Sequence, residues 1–169
     1  MIIDNELLDK ITAEAEAAPR LRMNFNLHES LDSKAQRLIN VLLPGTILPI
    51  HRHRHTDETY ALLRGKMTVV FYDDSKRQTD RILLDTAIGR YGVQIPKGRW
   101  HTIEVIEPSA IIEVKDGPYT PLEPEDILPQ HRLIRINKKV ILFRMTFFIL
   151  TSHSSRSIIS STTDGNHET

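Results

Sequence analysis

The chain contains no cysteine. Disulfides, thiolate metal sites and a thiol nucleophile are therefore excluded. Nor is there an excess of charge of either sign: Lys plus Arg and Asp plus Glu are both 22, for a formal net charge of zero. A global electrostatic footprint for nucleic acid is thus missing. Long hydrophobic runs are missing as well. The run 140–150 is broken by Arg144 and falls short of the roughly 20 residues a membrane helix needs. The first residues are acidic, with interrupted apolar positions, and show no signal-peptide pattern. The expectation is a cytoplasmic protein with neither nucleic acid nor membrane as partner. At 169 residues the chain is long enough for one domain with a real core.

What the sequence does have is concentrated histidine. His51-Arg52-His53-Arg54-His55 places three imidazoles within five residues, and Glu58 follows three residues later. A second motif, Pro96-Lys97-Gly98-Arg99-Trp100-His101, lies downstream. Side chains alternate faces along a strand, so His51 and His53 point the same way, about 6–7 Å apart. Two imidazoles at that spacing can converge on one ion. Glu58 opens the apolar run 58–63, and residues 54–57 form a polar turn before it. This predicts a hairpin that sets Glu58 across from His53. Pro96 and Gly98 bend the chain before a strand over 100–106, which brings in His101. In an undisturbed strand His55 shares the face of the other two. The ligand set therefore reads as His51, His53, Glu58 and His101, or with His55 replacing His51. Three imidazoles and a carboxylate on a roughly octahedral ion leave two positions open, which suits one divalent ion: Fe, Mn, Ni or Zn.

The first segment reads as a helix. Asp4 can cap it, Leu7, Leu8, Ile11 and Ala15 form an apolar stripe, and Pro19 ends it. A polar linker follows, and the period then changes to two. Expected strands are 36–43, 46–53, 58–63, 66–72, 81–84, 91–95, 100–106 and 110–115. Many short strands at close spacing argue for a sandwich or barrel.

Gly45, His51, His53, Glu58 and Gly65 match the first motif of the cupins without departure, and Pro96, Gly98 and His101 match the core of their second. Gly89 stands one residue too far upstream of Pro96, and Val105 replaces an asparagine often found there. The glycine spacing of this resemblance favours His51 over His55. A narrower resemblance runs through Asn26-Leu27-His28, Gln36-Arg37, Pro49-Ile50-His51-Arg52-His53, Trp100-His101-Thr102 and Glu113-Val114-Lys115-Asp116-Gly117-Pro118-Tyr119. These look like the WbuC family of cupin-fold metalloproteins, over residues 1 to about 127. The resemblance implies a mainly β fold: a cupin-type double-stranded β-helix, or jelly-roll barrel, with an N-terminal α-helix. The expected domains are a helix at 1–20, a barrel at 21–128 and an atypical, partly disordered tail at 129–169. It also implies a setting in surface polysaccharide (O-antigen) metabolism.

Tyr60 should share the inward face with Glu58 and is the candidate catalytic group, with a core tyrosine whose hydroxyl is satisfied as the other reading. Ile103 and Val105 should share the face of His101. Glu113 and Lys115 lie on one strand face; an ion pair at the sheet surface is the favoured reading, and if that face is inside they are acid/base or substrate-charge candidates. Arg99 and Trp100 are expected at the mouth, with Trp100 stacking on a ligand or simply packing; His28 is expected to be structural or exposed, with support of the metal ligands as the alternative. The function expected is a small metalloenzyme, an isomerase/epimerase or dioxygenase-type cupin, acting on a carbohydrate-related small molecule. The alternative is a non-catalytic, metal-dependent module that binds or senses a sugar or small acid. Expected partners are a sugar or nucleotide sugar and, as an option, a second copy in a homodimer.

Overall fold

The structure, a computed structural model, describes residues 1–128 together with the strands Leu133–Ile136 and Lys139–Leu142. The chain divides into two units, Met1–Gln130 and His131–Thr169. In the second, the two described strands form an antiparallel pair. The rest of the expected tail lies outside the described residues. Among the described residues no helix is long and apolar enough to cross a membrane.

The first unit opens with α1 (Asn5–Ala17). Asp4 caps it by accepting the Leu7 N–H at 3.1 Å. Leu8, Ile11 and Ala15, spaced for one helical face, are buried against Ile39, Val41, Leu43 and Ala110. The helix therefore lies on the outside of a sheet, as its stripe predicts.

Eight strands follow: β1 (Arg22–Asn26), β2 (Ala35–Leu42), β3 (Ile50–His51), β4 (Glu58–Tyr72), β5 (Gln78–Asp85), β6 (Gly92–Ile95), β7 (Trp100–Asp116) and β8 (Ile127–Leu128). All pairings are antiparallel, and the long strands β4 and β7 organise them. The first half of β4 pairs with β6 and with the second half of β7, which continues to β2 and β1. The second half of β4 pairs with β5 and with the first half of β7, which continues to β3 and then β8. Two layers thus share two strands, the arrangement of a double-sheet jelly roll. Leu62, Met67, Val69, Leu84, Ile95 and Ile111 are among the buried residues of its core. The fold is mainly β with an N-terminal helix.

Gly65 marks the point where β4 changes partners. Its φ is +88°, and a Cβ there would sit 2.1 Å from the Pro108 carbonyl oxygen. Register shifts crowd the same place, between Leu62 and Met67. A glycine that permits close approach and a bulge is how one strand bends to serve two layers.

Several expectations are corrected. The strands expected at 58–63 and 66–72 are one strand, as are those at 100–106 and 110–115. Of the strand expected at 46–53 only Ile50–His51 is extended and paired. The predicted hairpin does not form: β3 pairs with β7 and β8, not β4. The polar linker contains β1. Its Met23 and Phe25 pack toward the helix cluster, and the alternating polar residues hid a short strand.

Candidate metal centre

His51 and His101 are directly opposed in the β3–β7 ladder. Opposed residues present their side chains on one face, and the two rings stand 4.3 Å apart. His53 leaves the strand, but its carbonyl accepts the Gly98 N–H at 2.6 Å. That bond ties the first histidine motif to the Pro96–Gly98 turn of the second. Asp126 adds a second restraint. Its carboxylate accepts from Arg52 Nε at 2.7 Å and from Arg54 Nε at 2.7 Å, so both neighbours of His53 are anchored. Sequence reading missed Asp126, because no short-range pattern links it to residues 72 or more positions away.

Glu58 meets these histidines through its side chain rather than through a hairpin. His53 Nε2 lies 3.2 Å from Glu58 Oε1, and His101 Nε2 lies 3.2 Å from Glu58 Oε2. The tight group is His51, His53 and Glu58, each offering a ligand atom within 4.8 Å of the others. His101 adjoins it, although its ring stands 6.4 Å from that of His53. His55 is exposed and stands outside the group.

Hydrogen bonding fixes which nitrogens face inward. His51 Nδ1 lies 3.0 Å from the Pro49 carbonyl oxygen, and His101 Nδ1 lies 3.0 Å from that of Arg99. A carbonyl only accepts, so each Nδ1 carries the proton and each neutral ring turns a lone pair at Nε2 toward the centre. Glu58 Oε2 and His101 Nε2 are buried, close together, and yet not aligned for a hydrogen bond with each other or any other group. Two buried acceptors without a donor are costly, and a cation between them would satisfy both. The donor set therefore fits a divalent ion.

Burial pushes the His51 imidazolium pKa down to about 3, with His101 adding to the effect. Burial also lowers that of His53. Both rings are neutral at pH 7, the form that binds metal. Burial alone would raise the Glu58 carboxyl pKa, but its surroundings, with the Lys115 ammonium bonded to Oε1, outweigh burial and hold the group ionised, well below the usual range.

Lys115 belongs to the centre. It sits opposite Glu58 in the β4–β7 ladder. Its ammonium donates to Glu58 Oε1 at 3.2 Å and to Glu113 Oε1 at 3.0 Å. Glu113 is 7% exposed, so the surface ion pair expected for these residues is corrected to a buried one. Tyr60 is also buried, on the inward face predicted for it, as is Ile103. Burial first, then Glu58 and Glu113, raise its hydroxyl pKa well above the ordinary value. Trp100 is 2% exposed. Its ring is covered by Arg52 at 4.5 Å and Lys76 at 3.9 Å, so it packs rather than waiting at a mouth. His28 is structural: its Nδ1 lies 2.9 Å from the Arg37 carbonyl oxygen. The centre opens on a cavity of about 210 Å³ whose wall includes His51, His53, Glu58, Tyr60 and Lys115.

Comparisons agree with this architecture. Residues 3–84 match a family described as a domain of unknown function (DUF6016); that span holds His51, His53 and Glu58 but not His101. No curated protein matches the sequence. Among solved structures, TT1209 from Thermus thermophilus superposes with a TM-score of 0.50 at 20% identity, covering 68% of this chain and 95% of that one. The cupin domain of Cnp3 from Schizosaccharomyces pombe gives 0.45 at 13% identity, covering 56% and 64%. A cupin superfamily protein from Desulfitobacterium hafniense gives 0.46 at 16% identity, covering 56% and 76%. The strand topology, two layers that share β4 and β7, is that of a cupin-type double-sheet jelly roll. Within that cupin barrel, the histidines of both motifs and the glutamate of the first come together at one end of β3, β4 and β7.

Proposed function

We propose that His51, His53, Glu58 and His101 hold one divalent ion, and that the protein is a small metalloenzyme acting on a carbohydrate-related molecule. The observation that carries the metal is the pair of buried, unpartnered atoms, Glu58 Oε2 and His101 Nε2, 3.2 Å apart. A bound ion with open positions would supply Lewis-acid polarisation of a substrate oxygen or an activated water.

The chain's own groups have separable roles. His51 and His101 are held in the ligating tautomer by backbone carbonyls. Lys115 occupies Glu58 Oε1 and leaves Oε2 as the inward-facing oxygen. Tyr60, with its raised pKa, stays a neutral hydroxyl, so its role toward a substrate is to donate a hydrogen bond and not to act as a base. Leu42, Leu48, Ile103 and Ile111 form the apolar part of the cavity wall and exclude water from the reacting centre. The carbohydrate assignment, with a place in surface polysaccharide metabolism, rests on the resemblance to the WbuC family.

The test is metal analysis of full-length protein purified without added metal. We expect about one equivalent in the native protein and in His55→Ala, and a sharp loss in the double variant His51→Ala, His101→Ala. Undiminished metal in the double variant rules the site out.

A further inference from the structure

The cavity-facing side of β1 is polar, with Arg22 half-buried and Asn24 exposed. Met23 and Phe25 turn toward the helix cluster, while Arg22 and Asn24 line the cavity of the metal centre, joined there by Arg20 and Asn40. Asn24 and Asn40 are directly opposed across the β1–β2 ladder. Two guanidinium groups therefore share one wall, and among the described residues neither has a carboxylate within 4.0 Å. Arg52, Arg54, Arg64, Arg77, Arg81 and Arg99 all meet one. Arg37 and Arg90 lack one too, but they are exposed and line no cavity.

The remaining charges compensate only in part, since two carboxylates against one ammonium leave one negative charge facing two guanidinium groups. Glu58 and Glu113 also line the cavity, but both are engaged by Lys115. Arg22 makes one bond to protein, from Nη1 to the Ile47 carbonyl oxygen at 3.1 Å. Its pKa lies below the ordinary value because of burial first and the neighbouring Arg20 second, with Glu113 opposing them. An anion at this wall offsets both causes by its attraction for the guanidinium.

Asn40 gives the second half of the argument. Its Nδ2 donates to Glu113 Oε2 at 3.2 Å, and a carboxylate only accepts, so the amide orientation is fixed. Its Oδ1 is then a buried acceptor without a partner. A hydroxyl would satisfy it, whereas another anion would not. The cavity, at about 210 Å³, is below the usual range of roughly 300–1,000 Å³ for ligand sites. It suits one sugar-sized skeleton.

We infer that this cavity takes a small polyhydroxylated anion, a sugar acid or sugar phosphate, with Arg22 and Arg20 binding the carboxylate or phosphoryl group and Asn40 accepting from a hydroxyl. The inference rests on the proposed reading of the cavity as the metal-side ligand site.

Calorimetric titration of full-length, metal-loaded protein with gluconate, glucose 6-phosphate and glucose tests it. At least one anion should bind about tenfold tighter than glucose, a difference of about 1.4 kcal/mol. Which anion binds separates carboxylate from phosphate. Arg22→Gln should abolish the preference at unchanged metal content, and Arg22→Lys should keep part of it. The exposed Arg20→Gln should weaken the preference and serves if Arg22→Gln does not fold. Equal binding of glucose, no binding of any probe, or a preference that survives Arg22→Gln overturns the inference. A preference that needs Arg22 in protein that holds no metal supports this inference and refutes the metal centre. Bound metal without anion preference refutes this inference alone.

Discussion

Replacing Lys115 by methionine separates the two cations that compete for Glu58. Methionine keeps most of the side chain's length and apolar contacts while removing its charge. In the native protein the ammonium, on a side chain 15% exposed, serves Glu58 (1% exposed) and Glu113 (10%) at 3.2 and 3.0 Å. Breaking a buried ion pair from one side costs about 3–5 kcal/mol. The lower end applies, because Glu113 keeps the Asn40 amide. Metal-free Lys115→Met should therefore lose about 3 kcal/mol. With an ion beside Glu58, that carboxylate is no longer left uncompensated, and only the Glu113 share persists. The loss should fall to about half, roughly 1.5 kcal/mol. By linkage, the variant should bind metal about tenfold tighter than the native protein. Urea unfolding with chelator and with excess metal, and a competition titration with a chromophoric chelator, measure both quantities. An equal stability loss in the two conditions with unchanged metal affinity would refute the reasoning.

Acid should destabilise the metal-free protein through His51. Its native pKa of about 3 lies below the ordinary 6.5, so the unfolded chain takes up the proton first. Stability is complete above about pH 6.5 and drains as the pH falls toward 3, with about 2 kcal/mol lost by pH 5. His53 acts in the same direction. Glu58, whose pKa is lowered, adds a further loss below its ordinary value of 4.5. Urea midpoints at pH 7.5 and 5 should show the loss, and an equal slope in His51→Gln would show that His51 is not its source. Asp126→Ala should cost about 1–2 kcal/mol, since Arg54 is already 45% exposed. It should also weaken metal binding several-fold by loosening both neighbours of His53. Unchanged affinity would mean that the clamp has no positioning role.

The clustering of His51, His53, Glu58 and His101 was legible because these residues sit in two short motifs whose spacing survives whatever the intervening strands do. Tyr60 and Ile103 were legible from strand alternation. The misplacement of Glu113 and Lys115 has a definite cause. Pro108 reads as the end of a strand, so alternation was not carried from His101 through to Lys115. In the folded protein β7 runs straight through that proline, and residues 101, 103, 111, 113 and 115 all face inward or line the centre. Gly65 misled in the same way, as a break where the chain makes a bulge. The hairpin failed because strand pairing is a tertiary decision: residues 54–57 have turn chemistry, but β3 found better partners in β7 and β8. Asp126 and the polar face of β1 gain their meaning only from residues distant in sequence.

The pairing of β3 has a consequence for how the protein is made. Its two partners, β7 and β8, both follow it in the chain. Synthesis delivers the N-terminal part first, at about 5–20 residues per second. While β7 and β8 are still inside the ribosome, β3 has no neighbour to bond with, and the run from His51 to His55 trails as an open imidazole tag. Such a tag is free to take whatever ion is most available or most tightly held, and affinity alone favours copper. For the proposed metal site, selection of the ion would then follow the emergence of β8, when His101 joins the site and His55 is left outside. The ion found in recombinant protein will then depend on the growth medium, and exchange on the finished protein is the fair measure of its preference.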